Sequence, residues 1–134
     1  MIDWISNDKN SAITIYNNNI TLSKHASRFF EDAYGVNVGV DVETKELIIK
    51  KVSKEEFDNG SNCHKIEIKA SYGRISSKAL VSKVCEKLGL NLNNHQSLKL
   101  DAKWNNAKKM LIVDTNRKEG QKWWLLCLII IHLL

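Results

Sequence analysis

The sequence predicts an α+β fold, mostly β, made of two copies of a β-β-α-β-β unit followed by an apolar C-terminal tail. Three observations lead there. Ile-Thr-Leu-Ser-Lys at 20–24 returns as Arg-Ile-Ser-Ser-Lys at 74–78. An amphipathic stretch follows each, closing at Tyr34-Gly35-Val36 and at Leu88-Gly89-Leu90, so that Gly35 follows Lys24 by the same eleven positions as Gly89 follows Lys78. Alternating apolar residues come next in both: Val36, Val38, Val40 and Val42 with Leu47-Ile-Ile49, then Leu98, Leu100, Ala102 and Trp104 with Met110-Leu-Ile-Val113. A repeated supersecondary unit implies that neither copy buries its apolar face alone. Two such halves imitate a dimer within one chain. The expected organisation is a first repeat at 12–52, a linker at 53–65, a second repeat at 66–114 and an atypical hydrophobic tail at 115–134.

The first copy opens with short apolar strands at 13–16 and 20–22, joined through Asn17-Asn18-Asn19, a turn because asparagine tolerates left-handed geometry. Ser23 fits an N-cap, its hydroxyl placed to accept a free N–H of the first helical turn. Ala26, Phe29, Phe30 and Ala33 then fall on one helical face. Gly35 fits the left-handed position after the helix, with Val36 packing back on the last turn. Alternation from Val36 to Val42 predicts a half-buried strand, Glu43-Thr-Lys45 a turn, and 46–52 the returning strand.

The second copy obeys the same rules. Ile66-Glu-Ile68 is the first strand. Ser77 caps; Val81, Val84, Cys85 and Leu88 form the face; Gly89 and Leu90 close it. Leu98 to Trp104, a turn at 105–108 and Met110 to Val113 repeat the hairpin. Asn91 to Ser97 is a polar insertion without a counterpart. Between the copies, Ser53-Lys-Glu-Glu56 has the spacing of a capping box and predicts one helical turn fading into Asp58-Asn59-Gly60-Ser61-Asn62.

The second copy resembles the AbrB/MraZ-type swapped-hairpin regulators. Gly73-Arg74-Ile75 looks like their Gly-Arg-Val/Leu element, Leu88-Gly89-Leu90 like the end of their short helix, and 98–113 like their closing hairpin. In the first copy Tyr34-Gly35-Val36, 38–42 and 47–51 match the latter half, with Asn18-Asn19-Ile20 where Gly-Arg-Val would stand. The resemblance covers about residues 12–114. It implies a swapped-hairpin, pseudo-dimeric barrel and DNA binding by a transcriptional regulator. An antitoxin, whose unit binds both an operator and a toxin, is a related implication.

A formal charge of +5 favours an anionic partner such as DNA. Arg74 is the leading candidate: read as following Gly73 in a turn, it reaches outward, where a guanidinium engages a phosphate or a guanine edge. Lys69 and Lys78 flank it. Lys24 and Arg28 share one side of the first helix, and Lys78 and Lys83 occupy the start and middle of the second. Lysines there act mainly by displacing counterions at phosphates.

No enzyme is expected. The chain lacks a P-loop, G-x-G-x-x-G and paired carboxylates, and capping accounts for Ser23-Lys24 and Ser77-Lys78 better than nucleophilic chemistry does. Cys63-His64 has no second ligand pair, so no metal is expected, and no cofactor or small-molecule substrate. Cys63, Cys85 and Cys127, widely spaced, read as reduced thiols. The N-terminus lacks the pattern of a secretory signal, so a cytoplasmic location is expected. The apolar run at 123–134 is shorter than the roughly 20 residues of a membrane span. It stands as a cover for an apolar patch, a docking segment for a protein partner or oligomer, an interfacial segment or an unselected tail. The alternative function is therefore a protein-interaction module, antitoxin-like or phage-associated, with no DNA binding.

Overall fold

A computed structural model describes Ile2 and residues 11–60, 62–92 and 96–116. The expectations for the apolar tail, including Trp123, Trp124, Cys127 and His132, fall outside the described residues, as does His95.

Ala12–Ile15 (β1) and Asn19–Leu22 (β2) form the first hairpin. Tyr16 N–H donates to the Asn19 carbonyl at 2.9 Å, and none of the three asparagines takes a positive φ. Ser23 then caps α1 (Lys24–Arg28), its Oγ accepting from Ala26 N–H at 3.3 Å.

The expected helix ran on to a left-handed Gly35. It stops instead at Arg28, and the chain continues in tighter turns, Phe30 N–H donating to Ser27 O and Ala33 N–H to Phe30 O. Gly35 has no positive φ; it opens the strand Gly35–Asp41 (β3). Its lack of a side chain serves packing: a Cβ there would lie 2.5 Å from Phe57 Cδ2 and 2.8 Å from the His64 carbonyl. In the second copy the expectation holds. Ser77 caps α3 (Lys78–Leu88), accepting from Leu80 N–H at 3.2 Å. Gly89 is left-handed with φ 67°, and Leu90 N–H donates to Cys85 O at 2.8 Å, the bond that closes a Schellman motif.

The two long hairpins match in detail. β3 returns through Glu46–Val52 (β4), and Leu98–Asn105 (β8) through Met110–Asp114 (β9). Asp41 Oδ1 accepts from Thr44 N–H at 3.2 Å, and Asn105 Oδ1 from Lys108 N–H at 3.1 Å. Lys45 and Lys109 end the two turns with φ 59° and 55°, the only positive-φ non-glycine residues among those described.

The stretch 53–65, expected as a linker, is built into the fold. Ser53 caps α2 (Lys54–Asn59): its Oγ accepts from Glu56 N–H at 3.2 Å, half of the expected capping box, while its hydroxyl donates to Glu56 Oε1 at 3.3 Å. Phe57 packs edge-on to Tyr34 at 5.1 Å. Cys63–His64 (β5) pairs with β3. The strand expected at 66–68 is present but starts one residue later: Glu67–Ile68 (β6) pairs with Gly73–Ser76 (β7), and Lys65-Ile66 separate it from β5.

All nine strands form one curled antiparallel sheet, a half-barrel, in the order β5-β3-β4-β9-β8-β1-β2-β7-β6. The outermost strands, β5 and β6, are joined by only two residues, so the sheet bends back on itself. Three ladders join residues from opposite halves: β1 with β8, β2 with β7, and β4 with β9. Ile20 faces Ile75 and Ile48 faces Ile112 at the centres of the last two. One core cluster takes Ile13, Ile20, Leu22, Phe30, Leu47 and Ile49 from the first half and Ile75, Val81, Leu100, Leu111 and Val113 from the second. Burying each such side chain contributes about 1.5–3 kcal/mol, and the two halves share that interior. No helix among the described residues is long and apolar enough to cross a membrane.

Candidate nucleic-acid interface

The β2·β7 ladder organises the six candidate cations. Ile20, Leu22, Gly73 and Ile75 point inward and are buried, which turns Asn19, Thr21, Arg74 and Ser76 to the outer face. α1 follows β2 and α3 follows β7. Because the ladder is antiparallel, Lys24 leaves at the Gly73 end and Lys78 at the Asn19 end. At four residues, the ladder is roughly 10 Å long. The cations thus fall at its two ends, with Arg74 between them, rather than in one patch.

Arg74 does not stand in the turn expected of it. The turn is 69–72, closed by Lys69 N–H donating to Tyr72 O at 2.8 Å, and Arg74 lies within β7, opposite Thr21 on one side and Glu67 on the other. Strand pairing holds its backbone, so its reach is that of the side chain alone. The guanidinium carbon sits 5.0 Å from the centroid of the Tyr72 ring, within cation–π range. Its Nε is buried without a hydrogen-bond partner.

At the Gly73 end, α1 packs closely: a Cβ on Gly73 would lie 3.1 Å from the Ser27 Cβ. This brings Arg28 onto the 69–72 turn, where its Nη2 donates to Ala70 O at 3.0 Å while Nη1 pairs with Glu31. Lys69 pairs with Glu67 at 2.8 Å. That hydrogen bond raises the Lys69 ammonium above its ordinary value and holds the Glu67 carboxyl below its own. Two of the six charges are thus already partnered by acids, though both pairs are exposed and weak.

Lys24, Lys78 and Lys83 are exposed and hold no ion pair among the described residues. Lys83 lines a groove between α3 and β3. Lys87, one turn further along α3, lines it too; its four-residue spacing from Lys83 is the sequence signal that places it on the same helical face. Among the described residues no three His, Cys, Asp or Glu side chains come together as a metal site would require.

The arrangement offers separated positive points around a polar strand pair. No family model, curated protein or solved structure matches the chain.

Proposed function

We propose that the chain is a DNA-binding regulator of swapped-hairpin type, a pseudo-dimer whose two repeats set their basic helix starts on either side of the β2·β7 face. One observation carries the reading: the halves interleave, β1 on β8, β2 on β7 and β4 on β9, as the hairpins of such a barrel would. Lys24 and Lys78 flank that face without an ion pair among the described residues and serve as phosphate contacts; Arg74 is the base-reading candidate at its centre. Arg28, Lys69 and Lys83 extend the positive surface, the first two after exchanging their acidic partners for phosphate.

Fluorescence polarisation of a random labelled duplex over a salt series tests this. Binding at low salt that falls steeply as salt rises is expected, since each neutralised phosphate releases counterion. Absence of binding at low salt, or affinity indifferent to salt, overturns it. The ion pairs that neutralise Arg28 and Lys69 favour a second reading, a protein-interaction module without DNA binding. The same assay separates the two.

A further inference from the structure

The two helix–hairpin junctions are filled unequally. Phe29 and Phe30 lie six and seven residues after the capping Ser23, and Trp104 lies five before the left-handed Lys109. These three rings pack together: Phe29 stacks on Trp104 at 4.6 Å and 7°, and Phe30 meets it edge-on at 5.5 Å. The residues at the same positions after Ser77 and before Lys45 are Lys83, Val84 and Val40. All three line the groove between α3 and β3, of about 460 Å³. Where one junction has three aromatic rings, the other has an open space.

β3 is also bare there. On the side away from β4 it pairs with β5 only at Val36 and Asn37; among the described residues no strand continues along Val38 to Val42. Val38, Val40 and Val42 line hollows on both sides of the strand, and Val42 is 53% exposed. An unpaired edge beside an apolar groove accepts an extended segment, whose backbone completes the ladder while alternate side chains fill the pocket.

We infer that residues 123–127 of the same chain, the head of the apolar run, occupy this groove, with Trp123 and Trp124 supplying the missing aromatic bulk. The chain's exit point argues for it. Thr115 N–H donates to Lys45 O at 3.1 Å and Asn116 Nδ2 to Thr44 O at 3.1 Å, so the last described residue is held against the β3–β4 turn, next to the open end of β3. Crossing from β9 to the far edge of β3 takes three strand spacings, about 14 Å. The six intervening residues span up to about 20 Å. They carry Arg117, Lys118 and Lys122 against one acid, Glu119, and the turn they would cross carries Asp41, Glu43 and Glu46 against one base, Lys45. Entering at Val42 and running back toward Val38, the segment lies antiparallel to β3 and brings Cys127 toward Cys63, which also lines the groove.

The native cysteines provide the test. The reduced full-length chain is treated with a short bismaleimide and the monomeric product mapped by mass spectrometry. A Cys63–Cys127 link within one chain is expected. It is expected to disappear in the double variant Trp123→Ser/Trp124→Ser and in Val40→Trp, which fills the groove from within. Amides of 38–42 are expected to exchange several-fold faster in the tail variant, whose substitutions leave the described core untouched. Links only between chains, a link to Cys85 as abundant as that to Cys63, or a yield and exchange rate indifferent to the tail variant would each overturn the inference.

Discussion

Lys45 and Lys109 hold each other's hairpins: the Lys45 carbonyl accepts from Thr115 N–H at 3.1 Å, and the Lys109 carbonyl from Lys51 N–H at 3.1 Å. Donor and acceptor in one bond each stand sixty-four residues from their counterparts in the other. Both lysines are left-handed, a conformation that costs an L-residue roughly 1–2 kcal/mol. Lys45→Gly and Lys109→Gly are therefore expected to stabilise the fold. The net gain should be about 0.5–1 kcal/mol each, because glycine also loses more freedom on folding. Urea denaturation reads the change; a loss of stability in either variant would contradict the shared geometry.

Gly35 and Gly39 sit four residues apart on one strand and make opposite demands. An alanine at 35 collides with the Phe57 ring and the His64 carbonyl, whereas a Cβ on Gly39 meets nothing within 4 Å. Gly35→Ala is expected to cost about 1–3 kcal/mol by overpacking, and Gly39→Ala to stay within about 0.5 kcal/mol of wild type. Thermal denaturation of the two variants side by side checks the contrast.

If the β2·β7 face meets DNA, its cations differ in their work. Lys24→Ala and Lys78→Ala should each lower the slope of log affinity against log salt by about 1. Arg28→Ala should lower it less, its guanidinium being held by Glu31 and the Ala70 carbonyl. Arg74→Ala removes the guanidinium at the centre of the face, so affinity is expected to fall by about 1–3 kcal/mol; because the Nε–H it also removes is buried and unpartnered, the melting temperature is expected to change by no more than about 4 °C. A large drop in melting temperature with affinity intact would make Arg74 a packing residue only.

Two carboxyls carry the pH dependence on the acid side. The Lys51 ammonium bonded to Asp32, and the Lys69 ammonium bonded to Glu67, hold both below their ordinary values. A carboxyl depressed in the folded state adds stability above its unfolded pKa, and that contribution is lost as pH falls through the folded value. Both carboxyls are exposed, so the loss is small. Lys51→Met and Lys69→Met are expected to move the Asp32 and Glu67 titrations upward in NMR, each without moving the other.

Signals local in sequence were legible. Ser23, Ser53 and Ser77 cap their helices, Gly89 closes α3, and the alternation along β3 and β8 sets which residues face inward. What was hidden depends on residues far away in the chain. Gly35 has the spacing of a helix terminus, yet the Phe57 ring, which follows it by twenty-two positions, explains it. The break between β5 and β6 follows from pairing with two different strands. At the candidate interface the cations were legible by type and position; the acids that neutralise Arg28 and Lys69, and the strand that fixes Arg74, were not. Nothing local told that Arg28 would reach Ala70, because that contact arises from the packing of α1 over Gly73.

The interleaved ladders also set a timetable for synthesis. β1 needs residues 98–101 beside it, and β4 needs 110–114, so each of these early strands has only its hairpin partner until residues 98–114 have left the ribosome. At roughly 5–20 residues per second, the first half waits several seconds with its valines and isoleucines bare.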